Sequence, residues 1–552
     1  MKNLRISHTI TAVCFVICLF SQSRLEAQTA WENPRNEIYQ FLYRMAQKGL
    51  IVFDDNIRPL GRVYLANCLD SLNAKSESLT KTEKAELSFY SREYTDPYLN
   101  YEAKKAGFFK KDSARRWRMI DINTNGFMLR MDPVFTGASI ESNTRHVQQY
   151  SNGLFLYGYA GKHWSYYFSY NDVNEKGTGI DTLRAFTPLP GFVTKIADNK
   201  KSHNYSELRG GITYTFRNGS VSFAQDQVLW GYGENGRIIL SDKAPAYPFI
   251  KIDYKPLNWL AFHYMHAWLN SGIVDSARSY PTGIPTNTFG GRREFFIRKF
   301  FAIHSATFTP VKGLDFTLGE SMVYSDHLDI GYLLPLNFYK IYDNIVNNNQ
   351  INAGSNGQLF LQVSSRNHIR NTHLYGTLFV DEIRLGALFD KKNQRNQLGY
   401  TIGASMTDIL VPYLTMGVEY TRINPFVYRN LLPAQDYTSS KYSLGDWMGN
   451  NADRLIFSLR YTPAPKLKLM VRAQSIRKGG PGTLDQQYFQ QPQPPFLFDR
   501  QFTLTELNFQ ASYEWFHRLN LYWQFDAQHT RNDVTKTSTA DNQVTIGMRY
   551  GL

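Results

Sequence analysis

The chain is short of cysteine and of long apolar runs, and both shortages narrow its class. Only three cysteines occur in 552 residues. Cys14 and Cys18 fall in a short apolar stretch at the start, which leaves Cys68 alone in the rest. One thiol cannot close an internal disulfide or build a multi-cysteine metal cage. Beyond the start, no uninterrupted apolar run reaches the ~18 residues of a membrane-spanning helix. Mean hydropathy is −0.40. At about 150 residues per domain the length would suggest three or four domains, unless one large barrel consumes most of it.

What the chain does have is aromatic side chains, 36 Tyr and 37 Phe, and a basic balance of +14. Low hydropathy combined with many aromatics suits a β-barrel whose outer face is apolar and whose lumen is polar. The start reads as an export signal. Lys2 and Arg5 precede the apolar stretch Ile10 to Phe20, and Ala27 offers a small residue before a cut at Gln28. A lipoprotein reading of Cys18 lacks the small residue expected just before it, since Phe15-Val16-Ile17 stands there. Losing residues 1–27 removes Lys2, Arg5, Arg24 and Glu26, three positive charges and one negative, and lowers the balance from +14 to +12. For an exported chain this excess points to lipopolysaccharide phosphates or an acidic polysaccharide, not nucleic acid. The plainer reading is solvated loop lysines and arginines.

Residues 28–115 read as helical. Asn33 and Pro34 supply start signals, and Ile38, Phe41, Leu42 and Met45 recur on one helical face before Gly49. A second helix is expected over about Arg62 to Leu72. A third is expected from the capping-box pattern Thr80-Lys81-Thr82-Glu83.

From about Arg116 the period changes to two. In Leu519–His529, Leu519, Leu521, Trp523, Phe525 and Ala527 alternate with Asn520, Tyr522, Gln524, Asp526 and Gln528. Trp164 to Tyr170, Leu455 to Tyr461 and Leu467 to Gln474 alternate in the same way. About eighteen such segments fit residues 116–552, roughly 24 residues per strand and loop. The last, Gln543–Leu552, would close the barrel. Arg217-Asn218-Gly219 and Lys255–Asn258 read as short turns. Asn171–His203, Ser271–Arg292, Asn424–Asp453 and Lys478–Asp499 read as surface loops. The expected fold is therefore mainly β: a large antiparallel transmembrane barrel in an outer membrane, with a small N-terminal helical region.

Most candidate chemistry fails on geometry. Gly231-Tyr232-Gly233-Glu234-Asn235-Gly236 matches the dinucleotide pattern, but no helix follows it to receive a phosphate. It reads instead as a glycine turn. His263 and His266, three apart in a strand, face opposite sides and cannot share a metal ion. His304 and Ser305 also point apart. A hydrolase would need a Ser, a His and an acid or amide residue converging at one level of the barrel. No enzyme activity, metal or cofactor is expected. Trp230, Tyr232, Arg237, Arg292 and Arg293 sit in polar or glycine-rich contexts, where rings can stack on sugars and Arg can hold carboxylates. They are the candidate ligand-binding residues. For each taken singly, a girdle or solvated role explains the residue equally well.

Spread along the chain are Phe41–Leu50, Arg58-Pro59-Leu60-Gly61-Arg62, Leu229-Trp230-Gly231-Tyr232-Gly233, Ile238-Ile239-Leu240-Ser241 with Ala244-Pro245, and Tyr332-Leu333-Leu334-Pro335. Leu374-Tyr375-Gly376 with Asp381-Glu382, Asn424-Pro425-Phe426-Val427-Tyr428, Gly445-Asp446-Trp447 and Gly449–Asp453 follow. In order and coverage these resemble the capsule assembly Wzi family, with Gly61 where Ser is expected and Tyr232 in place of a Pro. The resemblance implies an eighteen-stranded outer-membrane barrel, a helical part on the periplasmic side, and a non-catalytic lectin role toward capsular polysaccharide. A monomer in contact with outer-membrane lipid and lipopolysaccharide is expected. A porin or oligosaccharide uptake channel is the alternative use of the same barrel.

Overall fold

The structure is a computed structural model that describes residues 30–95, 105–112, 115–124, 126–193, 201–284, 291–346, 355–383, 386, 389–390 and 392–551. The expected leader at 1–27 and its cleavage point lie outside these residues.

Eighteen antiparallel strands form a closed barrel, from Phe127–Glu141 to Ser538–Tyr550. Closure is direct: Phe135–Glu141 of the first strand pairs with Val544–Tyr550 of the last. Further along the same edge, Phe127–Met131 pairs with Ile120–Thr124 of the strand Trp117–Thr124, which also pairs with Lys105–Lys111. Lys105–Lys111 and Trp117–Thr124 therefore extend the sheet, although the first of these was expected to be helical.

The two-residue period sets the faces. Trp523, Leu521, Ile546, Phe457 and Leu318 are exposed on the outside, while their sequence neighbours Tyr522, Thr545, Ser458 and Thr317 face inward. The result is an apolar belt around the wall, as a bilayer demands. No helix among the described residues is long and apolar enough to cross a membrane. Connections of two to six residues lie at the end of the barrel that carries the C-terminus, and connections up to thirty residues, as at 326–355, lie at the other. Bacterial outer-membrane barrels put short turns toward the periplasm and long loops outside. The stretch Asn171–His203 is less of a loop than expected. The strand Trp164–Thr178 runs well into it, and pairing resumes at Ser202.

Three helices precede the barrel: α1 (Ile38–Gln47), α2 (Arg62–Asn73) and α3 (Lys81–Ser91). α1 begins four residues beyond Pro34, because Asn33-Pro34 forms a turn first. Gly49, at φ 72°, ends that helix, a backbone angle that glycine adopts without strain. α3 carries the full capping box: the Thr80 hydroxyl accepts from the Glu83 amide, and the Glu83 carboxylate accepts from the Thr80 amide. Ile38, Leu42 and Met45 of α1 bury against Leu65, Leu69 and Leu72 of α2 and Leu87 and Tyr90 of α3, forming a small core of their own.

That helical unit is bolted to the barrel wall at the short-turn end. The Tyr43 hydroxyl lies 2.7 Å from His373 Nδ1 and 2.8 Å from Ser405 Oγ. Gln47 Nε2 donates to Ser405 Oγ at 2.6 Å. A buried charge network surrounds Glu93: Arg62 at 3.2 Å, Arg118 at 2.8 Å and His517 at 2.9 Å, with Arg62 also 2.5 Å from Glu32. Burial alone would push the Glu93 carboxyl up, but Arg118, His517 and Arg518 outweigh it and hold it well below the usual carboxylate range.

Candidate functional site

Two long connections turn inward and fill the lumen. In the first, 227–246, Leu229–Trp230 pairs with Ile57–Arg58 of the N-terminal part as a two-stranded sheet, and Trp230 bridges Leu240. In the second, Val427, Tyr437, Leu444 and Met448 are fully buried. Together with Trp31, Tyr157, Phe249 and Phe301 these residues build one apolar core inside the barrel. The expectation of a surface loop at Asn424–Asp453 therefore fails. Its apolar residues bury area that a polar lumen cannot offer, so they pack on the other inward loop.

The glycine-rich motif has the form of a turn. Gly231 and Gly236 have φ of 96° and 149°, and no helix follows. Its neighbours are interior residues. Trp230 has no exposed surface and meets the His263 ring edge-on at 6.2 Å. Tyr232 packs against His373 and Tyr375 at 5.2 and 5.7 Å, with the Arg366 guanidinium 5.5 Å from its ring centre. Arg237 is buried. Desolvation, followed by the repulsion of Arg58, lowers its pKa to about 10, and its Nη1 has no hydrogen-bond partner. Tyr232 and Arg237 line a cavity of about 230 Å³ with Tyr39, Tyr43, Glu234 and Arg460, while Trp230 stands outside it. This chamber combines rings, cations and a carboxylate around a space for a small polar ligand.

Arg292 and Arg293 lie elsewhere. They are exposed on a two-stranded hairpin with Tyr280–Pro281 at the long-loop end. Near that end a groove of about 680 Å³ runs between residues 182–193, residues 440–447 and the strand ends, with Lys441, Tyr442, Trp447 and Glu294 on its walls. Its aromatic platform is held in place. The Tyr442 hydroxyl donates to Leu183 O at 3.0 Å, and Trp447 Nε1 donates to Asn235 O at 2.5 Å. Lys243 lies 5.4 Å from the Tyr442 ring centre and donates to Thr187 O and Leu189 O at 2.8 and 3.0 Å. Its burial lowers the ammonium to about 8. Tyr442 carried no sequence signal. Trp447 stood in the Gly445-Asp446-Trp447 motif but was not singled out as a ligand residue.

The convergence a hydrolase would need is partly present. Asp253, His263 and Ser305 are successive cross-strand partners, and His263 Nδ1 lies 2.7 Å from Asp253 Oδ1. Ser305 is fully buried and its hydroxyl makes no hydrogen bond, so the link that would activate it is not formed. His263 and His266 do face opposite ways. His266 Nε2 lies 2.7 Å from the Tyr324 hydroxyl on the outer face, while His263 meets Trp230 in the lumen. Among the described residues no cluster of His, Cys, Asp or Glu could hold a metal ion.

No protein-family model matches the chain, and no curated protein is similar to it in sequence. Among solved structures it is similar to Wzi, described as an outer-membrane protein involved in group 1 capsule assembly in Escherichia coli and a carbohydrate-binding β-barrel. The likeness has a TM-score of 0.58 at 13% identity, over 95% of this chain and all (100%) of that one. Pseudomonas aeruginosa OccK3 aligns at TM-score 0.40 and 11% identity, over 76% of this chain and 95% of the other. Acinetobacter baumannii OccAB2 aligns at 0.44 and 10%, over 76% and 97%. The chain has the fold of the Wzi barrel.

Proposed function

We propose that this protein is a non-catalytic outer-membrane lectin that holds an exported polysaccharide at the cell surface. One observation carries the reading: the lumen is packed with its own apolar core, while the long-loop end presents a groove with rigid aromatic and cationic walls. A conduit needs the opposite arrangement. The described carbohydrate binding of the similar Wzi barrel supports the same reading.

Rings such as Tyr442 stack on sugar faces, and Lys441, Arg292 and Arg293 pair with acidic substituents. Each contact is weak, and a polymer makes many of them. The net charge of +14, or +12 without residues 1–27, favours an acidic glycan and lipopolysaccharide phosphates, with binding that weakens as salt rises. In this reading Tyr232 and Arg237 serve an inner chamber that admits a small group, and Trp230 supports the loop that carries them. The helical part faces the periplasm and the protein works as a monomer.

The test is retention of native surface polysaccharide by the intact protein, compared with Lys441→Ala/Tyr442→Ala, Arg292→Ala/Arg293→Ala and Arg237→Ala. Loss in the first two pairs supports the outer groove. Loss only in Arg237→Ala moves the site inside, and equal retention by all removes both.

A further inference from the structure

The connection 326–355 behaves unlike the two that fill the lumen. After the strand Leu314–Ser325, residues 326–346 fold outward and lie along the outer wall. Tyr332 and Tyr339 bury there against Tyr264, Phe300, Met322 and Tyr324, which belong to three neighbouring strands and alternate with lumen-facing residues. The tilted Tyr332 ring lies 4.6 Å from Tyr324, and Tyr339 lies 4.5 Å from His304. The Tyr264 hydroxyl donates to Tyr332 O at 3.2 Å.

The carboxylates beneath this segment are paired, while the Tyr339 hydroxyl and His304 Nδ1 are buried without a hydrogen-bond partner. Glu320 lies 3.2 Å from His304 Nε2 and accepts from the Tyr339 and Lys340 amides at 2.6 and 3.3 Å, at the start of the helix Tyr339–Val346. Asp329 accepts from the Gly331 amide and the Tyr342 hydroxyl, while Tyr332 donates to Asp343. Irregular backbone survives at membrane depth only when its polar groups are paired in this way.

Its far side is apolar and bare. Leu336 is 80% exposed, and Ile330, Leu334, Phe338, Ile341 and Ile345 are each more than half exposed. Water would not tolerate so continuous a patch without a covering. The patch runs into the barrel's own apolar belt. On the strand Leu314–Ser325 the outward Leu318 is 64% exposed just where the cover stops, and Leu359 and Leu361 continue the belt on the next strand. Lys340 and Asn344 are exposed on the helix as well, and a lysine stem can carry its charge up to headgroups.

We propose that residues 328–346 are a lipid-immersed segment, seated in the acyl chains of the leaflet beside the long-loop end and anchored to the wall through Glu320, Tyr332 and Tyr339. Its occupant is membrane lipid, because its surface is continuous with the belt that lipid already covers.

Single nitroxide labels on the full chain decide this, in a Cys14→Ala/Cys18→Ala/Cys68→Ser background and in vesicles of lipopolysaccharide and phospholipid. The labelled sites are Leu336→Cys, Ile341→Cys and Ile345→Cys. Leu318→Cys gives the lipid reference and Lys84→Cys, exposed on α3, the water reference. Collision with oxygen matching Leu318, and several-fold weaker collision with a nickel chelate than at Lys84, is the expected result. Free access of the chelate overturns the proposal. So does exclusion of both reagents, which would mean that a protein covers the segment. The labelled sites are already exposed, and heat-shifted gel mobility checks that each variant is folded.

Discussion

Asp55, in the N-terminal part, forms a buried ion pair with Arg366 on the barrel wall, and Arg58 holds the other oxygen of the same carboxylate. Arg366 also donates to Phe53 O. Two links of the chain more than 300 residues apart are joined here. Burial alone would raise the Asp55 carboxyl, but Arg366 and then Arg58 pull it below the usual carboxylate range. Asp55→Asn leaves Arg366 buried without its counter-charge, and breaking such a pair costs about 3–5 kcal/mol. The expected outcome is a lower unfolding midpoint of the N-terminal part, read by limited proteolysis, with barrel mobility on gels unchanged.

The same pair and the Glu93 network give a pH dependence of defined sign. Both carboxyls are depressed in the folded state. Their stabilisation is therefore complete above the unfolded carboxylate pKa of about 4 and is lost as pH falls below it. Tryptophan fluorescence of Trp31, buried where the N-terminal part meets the wall, should stay constant from neutral pH to about 5 and change on further acidification. A transition centred above pH 6 would refute the assignment.

The packed lumen predicts electrical silence. Purified protein in planar bilayers should show no steady ion current. Deleting residues 30–95 alone should leave the fill from 227–246 and 424–451 in place, and deleting 30–95 together with 227–246 should open a conductance. A steady current in the intact protein would count for the channel reading.

Gly236 and Gly161 make a matched pair of probes. Both have positive φ, 149° and 62°. A Cβ at Gly236 would overlap the Asp446 carboxylate, which Arg454 Nη2 holds at 2.9 Å, whereas a Cβ at Gly161 meets nothing within 4 Å. Gly236→Ala should cost about 1–3 kcal/mol and Gly161→Ala about 1 kcal/mol or less, measured as denaturant midpoints.

Trp230→Ala separates packing from contact. Trp230 has no exposed surface, so its loss should destabilise by about 3–5 kcal/mol through the cavity it leaves. Lys441→Ala/Tyr442→Ala, at the groove, should lower glycan retention about fivefold, the equivalent of about 1 kcal/mol, with a smaller loss of midpoint than Trp230→Ala.

The barrel was legible because its period is strict. Leu519 to Ala527 and Trp164 to Tyr170 show the alternation residue by residue, and the closing strand was displaced by only a few positions, to Ser538–Tyr550. The helices were legible from caps, as at Thr80 and Gly49. What was not legible is which way a loop folds. Val228, Leu229, Ile238, Ile239 and Leu240 are too apolar for a solvated loop, and that composition was the available signal for an interior position. It does not distinguish lumen from lipid: residues 328–346 are equally apolar and went outward. The outcome depends on which polar anchor the wall offers, Glu320 outside or the N-terminal part inside, and those anchors are distant in sequence. The inner chamber was half legible, since Tyr232 and Arg237 were singled out while Tyr39, Tyr43 and Arg460 were not.

The shared edge of the first strand has a consequence for assembly. The final strand grips the first only over Phe135–Glu141, and Ile120–Thr124 already occupies Phe127–Met131 of that edge. A half-built wall therefore never offers its full starting edge to a stranger's strand, because the chain has capped most of the remainder with its own hairpin. The seam is one of three places where only seven paired positions join neighbouring strands of the cylinder, so a sideways parting of the finished wall would start at one of these.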